Sequence, residues 1–295
     1  MEATTLEAGV AQRAVVFILS EMRSGSMYLS YVLGSHPGVA HLGEYSRPFT
    51  IPGHVACRLC EARGRAECEI LHGIQKVPLE LAYDFAFERF QVPILIDSSK
   101  LLDWTAHFLG QERFQVRVIH LLRDPRGWFS SERRRNPMTL DFAIPRWVDT
   151  NGRIADFVAE HRIACYSVFY DDLAARPEQY FPPLCSFVGV PYQSRAREYW
   201  NHEHHGLGGN GAALTLIGRY ERANLITGDD PFYTARAHRH FHDTRWVAQL
   251  SRQERLAIEQ SDAIRRVLQR YERSFLHFDA LLADGGSNLV PEDGP

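Results

Sequence analysis

Residues 14–26 read Ala-Val-Val-Phe-Ile-Leu-Ser-Glu-Met-Arg-Ser-Gly-Ser, and this stretch decides the fold. Ala14 to Leu19 is short, β-branched and continuously apolar, the pattern of a strand buried on both faces of a parallel sheet. Ser20 to Ser26 is a small-residue turn, and Ser26 to Leu33 has helical spacing ending at Gly34, ahead of Pro37. A strand that runs through such a turn into a helix presents unpaired backbone N–H groups to an anion. Gly25 allows close backbone approach, Ser24 and Ser26 add hydroxyls, and Arg23 adds a fixed charge. The G-x-x-x-x-G-K-[ST] phosphate-loop pattern is absent and the loop has no lysine, which counts against an ordinary NTPase or kinase. A tight turn with a solvated arginine would look the same taken alone.

The same alternation continues downstream. Strands are predicted at Pro93 to Ile96, Val116 to Leu122 and Tyr166 to Tyr170, with helices over Glu80 to Phe90, Leu101 to Leu109 and Trp147 to His161. Asp124-Pro125 opens another helix, with aspartate as N-cap and proline at the first helical position. Strands alternating with helices indicate an α/β domain, P-loop-like, with a central, mostly parallel sheet. The pattern weakens from Asn201 to Thr244 and returns as a helical face over Ser251 to Tyr271. We divide the chain into a frayed N-terminus (1–12), one domain (13–282) with a Cys-rich insert at 51–73, and a polar tail (283–295) expected to be disordered.

Of 295 residues, 33 are basic and 36 acidic, for a net charge of −3. That balance argues against a dedicated nucleic-acid binder. Only Lys76 and Lys100 among the basic residues are lysine, so each merits inspection. No apolar run reaches membrane length or resembles a signal-peptide core, and five cysteines do not look like a disulfide framework. The expectation is a soluble, cytoplasmic protein.

A second anion element follows the third predicted strand. Arg123 stands at the carboxyl end of that strand, where open α/β sheets bind ligands, and Ser131 lies about two helical turns further on. Now the motifs fall into an order: R-S-G-S-x-x-L, H-P and G-E (Arg23 to Glu44), D-S-S-K (Asp97 to Lys100), and H-L-L-R-D-P-R-x-x-x-x-S (His120 to Ser131). F-Y-D-D-L with Arg176-Pro177, Gly209-Asn210, and Asp243-x-Arg245-Trp246 with Leu250-Ser251 come after them. In this order the chain resembles the sulfotransferases that use 3′-phosphoadenosine 5′-phosphosulfate (PAPS), notably bacterial, carbohydrate and tyrosylprotein types, over roughly residues 14 to 270.

The resemblance implies roles. Arg23, Ser24, Gly25 and Ser26 would form the 5′-phosphosulfate loop, Arg123 and Ser131 would hold the 3′-phosphate, and Tyr170 would lie near the adenine. Asn210 would belong to a late nucleotide-contacting loop, although the arginine that often follows in relatives is replaced by Gly211-Ala212-Ala213-Leu214; Arg219 or Arg222 could compensate. Glu44, of the G-E pair, would be the general base. His41 and His120 are rivals for that role, with His120 read as a core residue beside its strand end. Lys100, at the carboxyl end of a strand, would reach the sulfonate or the bridging oxygen. Asp97 either orients Lys100 or caps the next helix through Ser98 or Ser99.

Three signals stand apart. Cys57-x2-Cys60-x7-Cys68-x3-His72 has spacings compatible with a structural zinc site, with His54 as an alternative fourth ligand; a loop of buried thiols would look alike. Arg133-Arg134-Arg135 reads as a solvated face or as help in binding an acidic acceptor. His238, His240 and His242 are assigned no role. The resulting expectation is sulfonate transfer from PAPS to a hydroxyl or amine of a small-molecule acceptor, leaving adenosine 3′,5′-bisphosphate. A small-molecule kinase, and a non-catalytic nucleotide- or zinc-dependent interaction protein, are the alternatives. The acceptor would lie among segments 45–92 and 132–165, whose aromatics include Trp147 and Phe142, and the histidine-rich stretch. Nothing in the sequence fixes the acceptor or an oligomeric state.

Overall fold

The computed structural model describes residues 12–51, 57–65, 67–209 and 231–284. Asn210, Arg219, Arg222, His54 and almost all of the N-terminal segment and the tail therefore lie outside the described residues. In chain order the elements are β1 (Ala14–Leu19), α1 (Ser26–Gly34), β2 (Val39–Gly43), α2 (Arg47–Thr50), α3 (Arg58–Ala62), α4 (Ala82–Phe90), β3 (Ile94–Asp97) and α5 (Leu102–His107). Then follow β4 (Gln115–Leu122), α6 (Pro125–Arg133), α7 (Leu140–Glu160), β5 (Ala164–Phe169), α8 (Tyr170–Ala175) and α9 (Pro177–Val188). The last are α10 (Pro231–Thr234), α11 (Trp246–Gln249), α12 (Arg252–Gln260), α13 (Asp262–Arg270) and α14 (Phe275–Asp284).

The strands form one sheet in the order β2-β3-β1-β4-β5, parallel throughout. Every residue of β1 is buried, and its side chains alternate between two cores. Ala14, Val16 and Ile18 pack with α1, α8 and α9, while Val15, Phe17 and Leu19 pack with α4, α5 and the Cys-rich insert. Burial on both faces is why the strand reads as a run rather than an alternation. A third cluster gathers α6, α7 and the C-terminal helices around Trp128, Trp147 and Phe278.

Local chemistry sets the helix starts. Asp124 caps α6 by accepting from the Arg126 N–H at 2.9 Å, with Pro125 in the first turn. Ser251 and Glu254 form a reciprocal capping box on α12, and Ser261 starts α13 afresh, so the single periodic stretch expected over 251–271 is two helices. The helix expected from Trp147 begins earlier, at Leu140. The largest difference concerns Val39 to Leu42, which is not among the predicted strands. With Gly43 it is the edge strand β2, separated from β1 by β3. Helix α14 runs through Asp284, two residues past 282. Among the described residues, no helix is long and apolar enough to cross a membrane.

Candidate active site

Parallel register determines which loops meet. Leu19 lies opposite His120 and Leu122 opposite Phe169, so Arg23, Arg123 and Tyr170 all emerge at the carboxyl ends of β1, β4 and β5. On the other side Gly43 lies opposite Asp97, and the Ser98 N–H donates to the Gly43 carbonyl at 2.8 Å. That pairing brings Glu44 to Lys100. The strand ends open into one cleft lined by Arg23, Gly25, Ser26, Glu44, Lys100, Arg123, Ser131 and Tyr170 among others. Eight of the residues expected in the nucleotide and transfer sites thus come together; Ser24 is buried behind them, 1% exposed.

The loop after β1 is shaped by two left-handed residues, Arg23 (φ 68°) and Gly25 (φ 94°). A Cβ on Gly25 would meet the Tyr170 ring at 2.5 Å, so only glycine allows the loop to lie on that ring. Gly25 is also the N-cap of α1 and offers no side-chain cap, leaving the first-turn N–H groups of the helix free to meet an anion. The Arg23 guanidinium donates from Nε to Ser131 Oγ at 3.2 Å. Burial lowers its pKa from the ordinary arginine range.

Arg123 is buried and heavily committed. Nη1 donates to the Arg23 carbonyl at 2.9 Å and Nη2 to Asp243 Oδ2 at 3.2 Å, while the guanidinium lies 4.8 Å from the Tyr170 ring centroid. Its Nε is buried with no hydrogen-bond partner among the described residues. An orphaned N–H of a buried cation, in the cleft that Ser131 also lines, fits an anionic oxygen. Asp243 itself is gripped by Arg245 Nε at 2.8 Å and faces Arg134 at 3.6 Å. Burial alone would raise its pKa, but the hydrogen bonds and charges of Arg245, Arg123 and Arg134 hold it well below the usual carboxylate range. The Asp243 N–H donates to the Tyr170 hydroxyl at 3.1 Å, which ties this segment over the ring.

At the other end Glu44 accepts from Lys100 Nζ at 3.1 Å through Oε1 and from Arg47 Nε at 2.5 Å through Oε2. Burial acts to raise the Glu44 pKa, and the charges of Lys100 and Arg47 outweigh it, so the carboxyl is held below its ordinary value. Lys100, at φ 65°, donates a second hydrogen bond to the Ser98 carbonyl at 2.6 Å. An ammonium has three donors, so one N–H is left for the cleft. Gly43 precedes Glu44 for a steric reason: a Cβ there would meet the Leu207 carbonyl oxygen at 2.3 Å. Counting Arg47 and Arg135, five cations line the cleft against Glu44, Glu132 and Asp243. An anion-attracting site therefore sits in a chain with a net charge of −3.

Several residues have other work. Asp97 does not orient Lys100: it accepts from the Ser99 N–H at 2.6 Å, Tyr83 Oη at 2.6 Å and Trp104 Nε1 at 3.0 Å, fixing the turn after β3. His120 is a core residue between Asn151 (3.1 Å) and the Tyr271 hydroxyl (3.0 Å), its pKa pushed down by burial to about 4. His41 is buried against Ser30 and does not line the cleft. The arginine run divides: Arg133 pairs with Glu254, Arg134 faces Asp243, and only Arg135 lines the cleft. Trp147 is core and Phe142 is exposed, and neither aromatic lines the cleft. A second cavity of ≈ 510 Å³ shares Lys100 with the first and is lined by Thr50, Leu79, Leu101, Trp104, Thr150 and Ile154. It draws on the segments 45–92 and 132–165.

The Cys-rich insert needs one correction. Cys57, Cys60 and Cys68 do converge, but the imidazole among them is that of His205, all four ligand atoms lying within 4.8 Å of one another. His72 is 63% exposed and pairs with Glu67 at 2.8 Å. Its neighbour Leu71 is buried in the core, which turns His72 outward. His205 and Arg47 are residues that spacing alone did not single out, and Asp243 stood in a quoted motif without a role. Arg47, three residues after Glu44 on a turn, was the one with a local signal.

Residues 15–194 match a family model described as the sulfotransferase family. Among solved structures, the sulfotransferase domain from the curacin biosynthetic pathway aligns with a TM-score of 0.60 at 15% identity, covering 90% of this chain and 99% of that one. The sulfotransferase domain from the Synechococcus PCC 7002 olefin synthase aligns with a TM-score of 0.54 at 19% identity, covering 90% and 96%. At these identities the structural likeness speaks for the fold. No curated protein matches the chain.

Proposed function

Since the chain belongs to the sulfotransferase family, we propose that it transfers a sulfonate from PAPS to a hydroxyl or amine of a small-molecule acceptor, with Glu44 as general base. The observation that carries this reading is the Glu44–Lys100 pair, 3.1 Å apart, in the same cleft as Arg23 and the orphaned Nε of Arg123. A base for the acceptor, a cation for the leaving oxygen and a separate cation for a distal phosphate are what the reaction requires.

PAPS would supply the activated sulfonate. Arg23, Ser24, Gly25, Ser26 and the first-turn N–H groups of α1 receive the 5′-phosphosulfate. Arg123 and Ser131 receive the 3′-phosphate, and Tyr170 borders the base; Asn210 would contact the nucleotide from the late loop. Glu44 takes the acceptor proton as the acceptor oxygen or nitrogen bonds to sulfur. The electrons of the breaking S–O bond leave on the 5′-phosphate, where Lys100 and Arg23 meet the charge. Adenosine 3′,5′-bisphosphate is the product left in the cleft. The acceptor enters through the cavity that shares Lys100, whose walls at Leu79, Leu101, Trp104 and Ile154 suit an acceptor with an apolar body.

The test is incubation of the purified protein with an acceptor panel and either PAPS or ATP with magnesium, read by mass. Gain of one SO3 unit with PAPS alone is expected. Phosphorylated products with ATP would replace this reading by a kinase, and donor binding without any product would leave a binding protein.

A further inference from the structure

We infer that Cys57, Cys60, Cys68 and His205 form a structural zinc site that staples the Cys-rich insert to the 203–209 segment and so sets the wall beside Glu44. The spacing of the four ligand atoms suits a metal tetrahedron. His205 Nδ1 lies 3.7 Å from Cys57 Sγ, 3.6 Å from Cys60 Sγ and 3.4 Å from Cys68 Sγ. Zinc bond lengths of about 2.3 Å to sulfur and about 2.0 Å to nitrogen put S and N about 3.5 Å apart at tetrahedral angles. The three thiols are buried and none is in a disulfide. Four protein ligands leave no open position, so the ion would be structural rather than catalytic.

The ligands also explain a contact that spacing cannot. His205 lies 137 residues beyond Cys68, and the backbone just after it is paired on both sides. Leu207 bridges Gly43 in parallel and Cys57 in antiparallel fashion. The Leu207 N–H donates to the Leu42 carbonyl at 2.8 Å, and the Glu44 N–H donates to the Leu207 carbonyl at 2.6 Å. The next residue, Gly208, stands so close that a Cβ on it would meet Glu44 Oε2 at 2.9 Å, and Gly209 lines the cleft. A metal holding His205 to the insert thereby clamps Leu207 onto the edge of β2, one residue from the carboxylate. Glu203, whose Oε2 lies 3.7 Å from His205 Nε2, stands where an outer carboxylate steadies a metal-bound imidazole.

The experiment uses the full chain and reads metal before activity. Elemental analysis of protein purified without added chelator should give about one zinc per chain. Replacement of that zinc by cobalt(II) should give the visible absorption of a tetrahedral site with thiolate charge transfer. His205→Ala should lose the metal or its tetrahedral spectrum, and His72→Ala should keep both. Metal-free protein with no tetrahedral cobalt spectrum, a mass two hydrogens lower from an internal disulfide, or loss of metal in His72→Ala instead of His205→Ala would each overturn the site. The wild-type measurements decide even if His205→Ala does not fold. None of these readouts depends on sulfonate transfer, so failure of the proposed activity and failure of the metal site remain distinguishable.

Discussion

At the inner end of the cleft a carboxylate sits among three arginines; at the outer end a carboxylate sits between a lysine and an arginine. Asp243 (side chain 7% exposed) is bonded by Arg123 and Arg245 and faced by Arg134, and Glu44 (17% exposed) is bonded by Lys100 and Arg47. Both are held ionised, but by surroundings of different reach. The arginines around Asp243 are themselves buried or half-buried, so its charge serves to keep a cluster of cations folded. Glu44 has fewer partners, lines the cleft beside Lys100, the residue the two cavities share, and keeps lone pairs for an incoming proton. The same ion-pair chemistry is structural where it is closed and suited to proton transfer where it is open.

The largest effect that could break this contrast is at the open end. Glu44→Gln should lower turnover by roughly 10²–10⁴-fold, the range of a lost general base, while nucleotide affinity measured by calorimetry stays within about twofold. Unchanged turnover would remove Glu44 from the role. The pH profile sharpens the point. Because the Glu44 pKa lies below its ordinary value, the base is already deprotonated through the neutral range, and kcat/KM should fall only as pH drops below the usual carboxylate range. An acid limb near pH ~6.5 would instead indicate a histidine.

Next in size is Arg123→Ala. Losing a charged hydrogen-bonding partner should weaken adenosine 3′,5′-bisphosphate by roughly 10–100-fold, with little change for adenosine 5′-phosphate. Equal losses for the two nucleotides would show that Arg123 does not read the 3′-phosphate.

The third test reads stability rather than turnover or affinity, in Asp243→Asn. Breaking a buried ion pair costs about 3–5 kcal/mol, so the melting temperature without ligand should fall by several degrees. An anion entering the arginine cluster would restore part of that loss. The rise in Tm on adding adenosine 3′,5′-bisphosphate should therefore be larger in the variant than in the wild type. A smaller rise would mean that Asp243 helps to present Arg123 rather than standing in for an anion.

Local physics made much of the fold readable in the chain. The apolar run of β1 with its small-residue turn, the Asp124-Pro125 helix start and the strand that ends at Leu122 each carry their instruction within about ten residues. The edge strand β2 was less legible because Val39–Gly43 is short and its pairing depends on β3, more than fifty residues on. The site shows the same division. Arg23, Glu44, Lys100 and Arg123 are visible as motif residues at strand ends. That they share one cleft follows only from the parallel register. Asp243 stood in a recognised stretch without a role, since its contact with Arg123 spans 120 residues.

The arginine-rich, lysine-poor composition, the phosphate loop and the order of motifs are properties of the sequence by itself, because each rests on neighbouring residues and the backbone they shape. Which imidazole joins Cys57, Cys60 and Cys68, and which carboxylate closes on Arg123, were decided by the tertiary structure. Both choices pair groups far apart in the chain. His72 is adjacent to the thiols in sequence yet turned to solvent by Leu71, whereas His205 is brought to them by the pairing of Leu207 with β2.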